Sequence, residues 1–268
     1  DFLIDYNCLK EKLKTDIIGR YFIQFESLQS TTRKAKAIAP HSPDGMVVCA
    51  ENQWEDKTKH GKEWFSPPGG LYISTIISLD NKRDYSSLLT LLGGTAAYQA
   101  MKELGLNSEL KWPNDIMIEG KKIGAVFCDS INYDNHLKYI ITINLNVSIK
   151  RELLEKNIDC PAISLNEIYD MDITMEDMMA KLLNRIEHLI ETCIIGKKCE
   201  DLYEPWEQYI NQFNNHARIR KYGNKKWIDS TIIGFNNSGD LGFMQSNGMP
   251  DVVDTKKYEI MMIKELNR

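Results

Sequence analysis

The densest chemistry in the sequence lies at Lys111-Trp112-Pro113-Asn114-Asp115, followed by Ile116 and then by Gly120-Lys121-Lys122-Ile123-Gly124. A lysine, an amide and a carboxylate are packed around a Trp-Pro pair, on a short connection between two strands. Proline fixes its own φ and biases Trp112 to an extended shape, so the flanking polar groups are held in place. Lysine supplies a point charge for phosphate and aspartate can hold Mg2+, which is the equipment of nucleotide activation. The alternative reading of the same residues is a hydrophobic Trp-Pro corner with Asn and Asp as turn formers.

The chain around them has 268 residues, which favours one large domain with a small appendage and allows a sizeable core. Apolar residues make up 43% and charged residues 26%, so neither disorder nor a fibrous repeat is expected. With 33 Lys+Arg against 38 Asp+Glu, the formal charge of -5 gives no general reason to bind nucleic acid or an anionic membrane. Any basic site must be local. No stretch approaches the roughly 18 consecutive apolar residues that cross a bilayer, and Asp1 to Lys14 carries charges where a signal peptide would be apolar, so a cytoplasmic protein is expected. The start at Asp1 rather than Met leaves room for an upstream domain. Cys8, Cys49, Cys128, Cys160, Cys193 and Cys199 lie far apart with no CxxC pair, which reads as reduced structural thiols.

The elements that must position the lysines read as follows. Residues 9–14 form a short amphipathic helix, 21–26 an alternating aromatic strand, and Ser30, Thr31 and Thr32 a turn or helix cap before a helix over 32–39 that Pro40 and Pro43 stop. A buried strand spans 46–50, and 51–63 is a polar loop long enough to suggest function or disorder. A strand over 71–79 leads to a helix over 85–104, whose Gly93-Gly94 pair implies close packing. Strands over 109–112, 116–119, 123–130 and 137–145 follow, joined by turns of which Glu119-Gly120 and Asp134-Asn135 are best marked. Helices span 174–192 and about 202–213. After Asn214-Asn215 come short strands with turn signals, so the tail reads as a small β-barrel on an α+β domain with a mixed or antiparallel sheet.

KWPNDI with GKKIG a few residues on resembles the core motif of the biotin protein ligases, whose catalytic domain is similar to that of class II aminoacyl-tRNA synthetases. The likeness runs in order along nearly the whole chain. Ser30-Thr31 matches the family's substrate-binding Ser-Thr; Ala50-Glu51-Asn52-Gln53 its AExQ; Trp64-Phe65-Ser66-Pro67 and Gly69-Gly70-Leu71-Tyr72 its WxSP and GLY strand; and Ile143-Asn144-Leu145-Asn146 its INVN.

The resemblance implies a catalytic domain over 1–214 and a small SH3-like β-barrel over 215–268. It implies a two-step reaction, in which biotin and MgATP give biotinyl-5′-adenylate and the acyl group then passes to a lysine of a biotin carboxyl carrier protein or domain. Lys122 would bridge the biotin carboxylate and the α-phosphate, with Lys111 and Asp115 as the other catalytic groups. Ser30, Thr31, Gln53, Lys57, Lys59, Ile140 and Thr142 would line the biotin site. Lys59, Lys62, Trp64, Lys111, Asn114, Asp115 and Asn144 would hold ATP, with Asp115 also a ligand for Mg2+. Family members often self-associate through the central sheet, which leaves a homodimer open. Bifunctional members carry an N-terminal helix-turn-helix; none lies in these residues, so no DNA binding is expected of them.

The chain also departs from the family pattern. The glycine-rich, arginine-based flap before the Trp reads Asp56-Lys57-Thr58-Lys59-His60-Gly61-Lys62-Glu63 here, which keeps charge but loses the planar bidentate fork and the freedom of glycine. Where the family has Gly-x-Gly on the strand before Ile-Asn, this chain has Ile140 and Thr142, which add volume inside the expected pocket. Two further readings follow: a weakened binding protein for biotin or a related carboxylate on the same scaffold, and a ligase or transferase for another acyl group such as lipoate.

Overall fold

The computed structural model describes residues 4–54, 66–79, 83–134, 136–158, 160–168, 173–253 and 258–263. The polar loop is therefore described only at its start, as far as Trp54, and Lys57, Lys59, Lys62 and Trp64 lie outside the described residues.

Seven strands form the central sheet: β1 (Phe22–Leu28), β2 (Val47–Gln53), β3 (Gly70–Ser78), β4 (Glu109–Lys111), β5 (Asp115–Ile118), β6 (Lys121–Tyr133) and β7 (His136–Asn146). Their order is β1-β2-β3-β7-β6-β5-β4, with β1 and β2 parallel and the other pairs antiparallel. The sheet is mixed, as expected. Between its strands and after them come α1 (Tyr6–Lys12), α2 (Thr31–Ile38), α3 (Ser86–Glu103), α4 (Arg151–Asn157), α5 (Leu165–Ile168), α6 (Met175–Leu189) and α7 (Glu200–Asn211).

Helix α1 starts three residues before the expected position, because Asp5 caps it by accepting from the backbone N–H of Asn7 and Cys8. The long helix α6 ends its α-helical turns at Leu189 and continues as a π-helical stretch to Ile195. Two short helices, α4 and α5, fall in a region for which the sequence supplied no element.

The back of the sheet packs on α3, which packs in turn on α6, and here lies the main core. The expectation from Gly93-Gly94 holds: a Cβ on Gly93 would lie 2.6 Å from Val126 Cγ1 of the sheet, and one on Gly94 would overlap the buried Trp206 ring of α7. Trp206 is held further by Nε1 donating to Leu91 O (3.2 Å) and Thr95 Oγ1 (3.1 Å). On the front of the sheet, α2 covers one end, burying Ala35 and Ala39 against Val48, Ile76 and Ile140. The other end of that face lies beyond α2.

The tail forms a second sheet of five antiparallel strands, β8 (His216–Lys221), β9 (Ile228–Phe235), β10 (Leu241–Gln245), β11 (Pro250–Val253) and β12 (Tyr258–Met262), ordered β11-β10-β9-β8-β12. No pairing among the described residues closes it into a barrel. It has its own small core around Ile219, Ile232, Leu241 and Phe243, and it meets the larger unit through Trp112, which packs against both cores, and through Tyr203 stacked on Phe235.

Candidate active site

Directly paired residues of an antiparallel sheet point to the same face, so the register defines what the open front presents. One row runs Ala50, Tyr72, Asn144, Ala125, Asp115 from β2 to β5, and the next runs Val48, Ser74, Thr142, Phe127. Asn144, Thr142 and Asp115 therefore share the front face, as the site reading needs. Ile140 lies one step further along β7, on the same face but inside the apolar cluster beneath α2.

The Trp112-Pro113-Asn114 stretch is the loop of the β4–β5 hairpin, where Lys111 pairs with Asp115 across the ladder. The Trp112-Pro113 peptide is cis, and Asn114 O accepts from Val126 N (2.9 Å), which ties the loop to β6. Trp112 thus combines the two readings of these residues: it is a hydrophobic corner that holds the polar groups beside it. Lys111 is exposed, while Asn114 and Asp115 are half-buried.

Lys122 reaches this row by an irregularity. The β5–β6 turn has positive φ at both Glu119 (49°) and Gly120 (72°), the pattern of a tight two-residue hairpin. That turn pairs Ile118 with Lys121 and Met117 with Lys122, after which the register shifts and Ile116 pairs with Gly124. Ile123 is the extra residue of a β-bulge. In an unbroken strand Lys122 would share the back face with Val126 and Cys128; the bulge puts it on the front, where its Nζ lies 2.6 Å from Asp115 Oδ1. Both side chains are about one-fifth exposed, at 19% and 23%.

Further along the front face, the side chains of six buried or half-buried residues form one hydrogen-bonded chain. The backbone N–H of Thr31 donates to Gln53 Oε1 (2.8 Å), which identifies that atom as an acceptor. The Thr31 hydroxyl therefore donates to it as well (3.0 Å), and Thr31 Oγ1 in turn accepts from Ser74 Oγ (3.0 Å). A hydroxyl has one proton. Ser74 must then accept from Thr142 Oγ1 (2.7 Å), and Thr142 from Thr32 Oγ1 (2.8 Å). At the far end Gln53 Nε2 donates to Ser66 Oγ (3.1 Å). Ser30 acts instead at the start of α2, where its hydroxyl accepts from Arg33 N (3.4 Å).

Of the residues singled out in the sequence, the structure brings together Thr31, Gln53 and Thr142 in the hydroxyl chain and Asn144, Asp115 and Lys122 beyond it. Sequence reasoning missed Thr32, Ser66 and Ser74 as members of that chain. The period-two alternation of 71–79 carried a signal for Ser74, since it sets Tyr72 and Ser74 opposite the core residues Leu71 and Ile73.

Asp115 offers one carboxylate for Mg2+, and its Oδ1 is engaged by Lys122. The cluster of three acids found among the described residues, Asp16, Glu187 and Glu191, is elsewhere, and Glu187 there accepts from the backbone N–H of Ile17 (3.0 Å) and Ile18 (2.6 Å). Mg2+ keeps much of its shell as water and phosphate and needs only one or two protein carboxylates. The residues present fit an ion carried in with a nucleotide rather than one held by a protein cage.

Residues 23–148 match the profile described as the biotin/lipoate A/B protein ligase family. The bifunctional ligase/repressor BirA of Bacillus subtilis is 32% identical over 236 residues, covering 81% of this chain and 69% of that protein. The biotin--protein ligase of Homo sapiens is 26% identical over 273 residues, which is 96% of this chain and 36% of the human protein. Among solved structures, the biotin protein ligase of Aquifex aeolicus in complex with biotin and ATP matches with a TM-score of 0.70 at 22% identity, covering 91% of this chain and all of that one.

Proposed function

Because the chain belongs to the biotin/lipoate A/B protein ligase family, we propose that it works as an ATP-dependent biotin protein ligase. The observation that carries the reading is the Lys122–Asp115 pair, turned by a bulge onto a sheet face that also presents Asn144 and the hydroxyl chain.

In the first step an oxygen of the biotin carboxylate attacks the α-phosphorus of ATP; the bond to the bridging oxygen breaks, pyrophosphate leaves, and biotinyl-5′-AMP forms. Two anions must approach each other. Lys122 offsets that repulsion, and Asp115 holds its ammonium in place until substrate arrives. In the second step the ε-amine of a lysine on a biotin carboxyl carrier protein or domain attacks the acyl carbon and AMP leaves. Lys111 supplies a further phosphate contact, Asn114 and Asn144 orient the nucleotide, and Asp115 is the side chain we assign to Mg2+ arriving with ATP. Ser30, Thr31, Gln53 and Thr142 form the biotin end of the site, with Ile140 as the apolar support under α2. Lys57, Lys59, Lys62 and Trp64 belong to the same proposal through the resemblance of the flap.

We also read residues 1–214 as the catalytic domain and 215–268 as a small SH3-like barrel. A cytoplasmic setting is supported by six cysteines outside any disulfide. The resemblance leaves a homodimer through the central sheet open, and we assign no DNA binding to these residues.

The test is ATP–pyrophosphate exchange driven by biotin, lipoate or octanoate, comparing the wild type with Lys122→Ala. Exchange with biotin that is lost in the variant is expected. Exchange with lipoate or octanoate alone would move the assignment to another acyl group. Calorimetric biotin binding without any exchange would make the protein a binder.

A further inference from the structure

We propose that residues 161–163, pinned by Asn146 and Ser164, form a brace that keeps Lys122 facing Asp115, so that Asn146 and Ser164 are positioning residues for the activation step. The proposal rests on the role given to Lys122 above.

The β5–β6 hairpin carries one residue more than a regular ladder needs. In the observed register that residue is Ile123, beyond Lys122. The competing register absorbs it in the turn, pairing Lys122 with Ile118 and so directing the lysine toward the back, where Ile118 is buried in the main core. A slip of one residue exchanges the two faces of a strand. Something must favour one register over the other.

The neighbouring backbone does so. Strand β7 ends at Asn146, and its ladder with β6 begins at Gly124 paired with Leu145, so β7 gives no ladder partner to Lys122. Residues 161–163 take its place as a parallel bridge: Lys122 N donates to Pro161 O (2.8 Å) and Ile163 N donates to Lys122 O (3.0 Å). Turning the Lys122 side chain to the other face swings its N–H and C=O to the opposite edge of the strand and breaks both bonds. The brace thus reads the orientation of one residue.

The brace is itself fixed to the end of β7 at three points. Asn146 Nδ2 donates to Ile163 O (3.3 Å), Ser164 Oγ to Ile149 O (2.7 Å), and Asn166 N to Val147 O (2.9 Å). Asn146 and Ser164 are fully buried. The Asn146 Oδ1 has no hydrogen-bond partner among the described residues, so what the amide contributes there comes through its donor. On its outer side the brace borders a groove of about 270 Å³ lined by Lys121, Arg151, Glu155 and Cys160, so its support comes from the pins and from Ile163, which is buried in the main core.

The experiment uses the full chain and two readouts. Biotin-driven ATP–pyrophosphate exchange is measured for the wild type, Asn146→Ala, Ser164→Ala and Lys122→Ala, and amide hydrogen exchange is measured at Lys122 and Ile163. For Asn146→Ala we expect kcat about tenfold lower, KM for biotin and ATP within twofold of the wild type, and faster amide exchange at both positions. An unchanged kcat, or a loss confined to KM, would overturn the proposal, as would unchanged protection of the Lys122 amide. If Asn146→Ala does not fold, Ser164→Ala is read by the same criteria. Activity surviving in Lys122→Ala would remove the role of that lysine, while the amide exchange would still decide whether the brace holds it.

Discussion

Thr142→Val removes one hydroxyl from the middle of the buried chain and keeps the branched shape of the side chain. Thr142 accepts from Thr32 (2.8 Å) and donates to Ser74 (2.7 Å), so two hydrogen bonds disappear together. At about 1 kcal/mol net for each, the cost is about 2 kcal/mol. A 268-residue chain unfolds with an entropy of roughly 0.6 kcal/mol/K, so the melting temperature should fall by about 4 °C. Ser74 keeps its donor bond to Thr31 but loses the proton it accepted, which loosens Thr31 and through it Gln53. The half-saturating biotin concentration in pyrophosphate exchange should therefore rise about tenfold, equal to about 1.4 kcal/mol, with that for ATP within twofold. Thr142→Ser, which retains the hydroxyl, should recover most of both effects. The double variant Ser74→Ala/Thr142→Val should lose about 1 kcal/mol less than the sum of the singles, because the shared bond is counted once. A melting temperature within about 1 °C of wild type, or valine and serine variants that behave alike, would refute the chain as a working unit.

Gly94→Ala drives a methyl into the Trp206 ring and should cost about 1–3 kcal/mol in urea unfolding. The Asp177 carboxyl lies below its ordinary value, first because Lys12 donates to it at 2.8 Å and then because the Thr174 hydroxyl does. Its contribution should be complete above about pH 4 and fade as pH falls through the lowered value, so the wild type and Asp177→Asn should differ in melting temperature at pH 6 and converge in acid. Iodoacetamide at pH 8 should label the exposed Cys160 first by mass spectrometry, whereas Cys49, whose thiol burial pushes up to about 12, should stay unlabelled until the protein unfolds.

Much of the fold was legible because most strands of the large sheet alternate cleanly or run continuously apolar, and because Gly93-Gly94 announced contacts that only glycine permits. The candidate site was legible where its residues are close in sequence, from Lys111 to Lys122. Its hydroxyl chain was not, since Thr31, Ser74 and Thr142 come from α2, β3 and β7 and meet only through register. The bulge at Ile123 was invisible too: nothing in GKKIG tells a strand that alternates without interruption from one that carries an extra residue. Helices α4 and α5 are too short for a 3.6-residue period to emerge, and so the brace between them had no signal. The expected barrel rested on turn signals, which locate strand ends but say nothing about which edges pair.

The chain of hydroxyls also has a direction, and its direction is a filter. Each hydroxyl proton of the row points toward Gln53, anchored by the Thr31 amide, so Thr32 at the far end has already given its only proton to Thr142. If the biotin end of the proposed site reaches Thr32, that hydroxyl would present lone pairs alone: a ring that brings an N–H group, as the ureido end of biotin does, would meet an acceptor there, while the sulfur ring of lipoate and the methyl end of octanoate have no proton to offer. Reversing the preference would require every hydroxyl in the row and the Gln53 amide to turn over together.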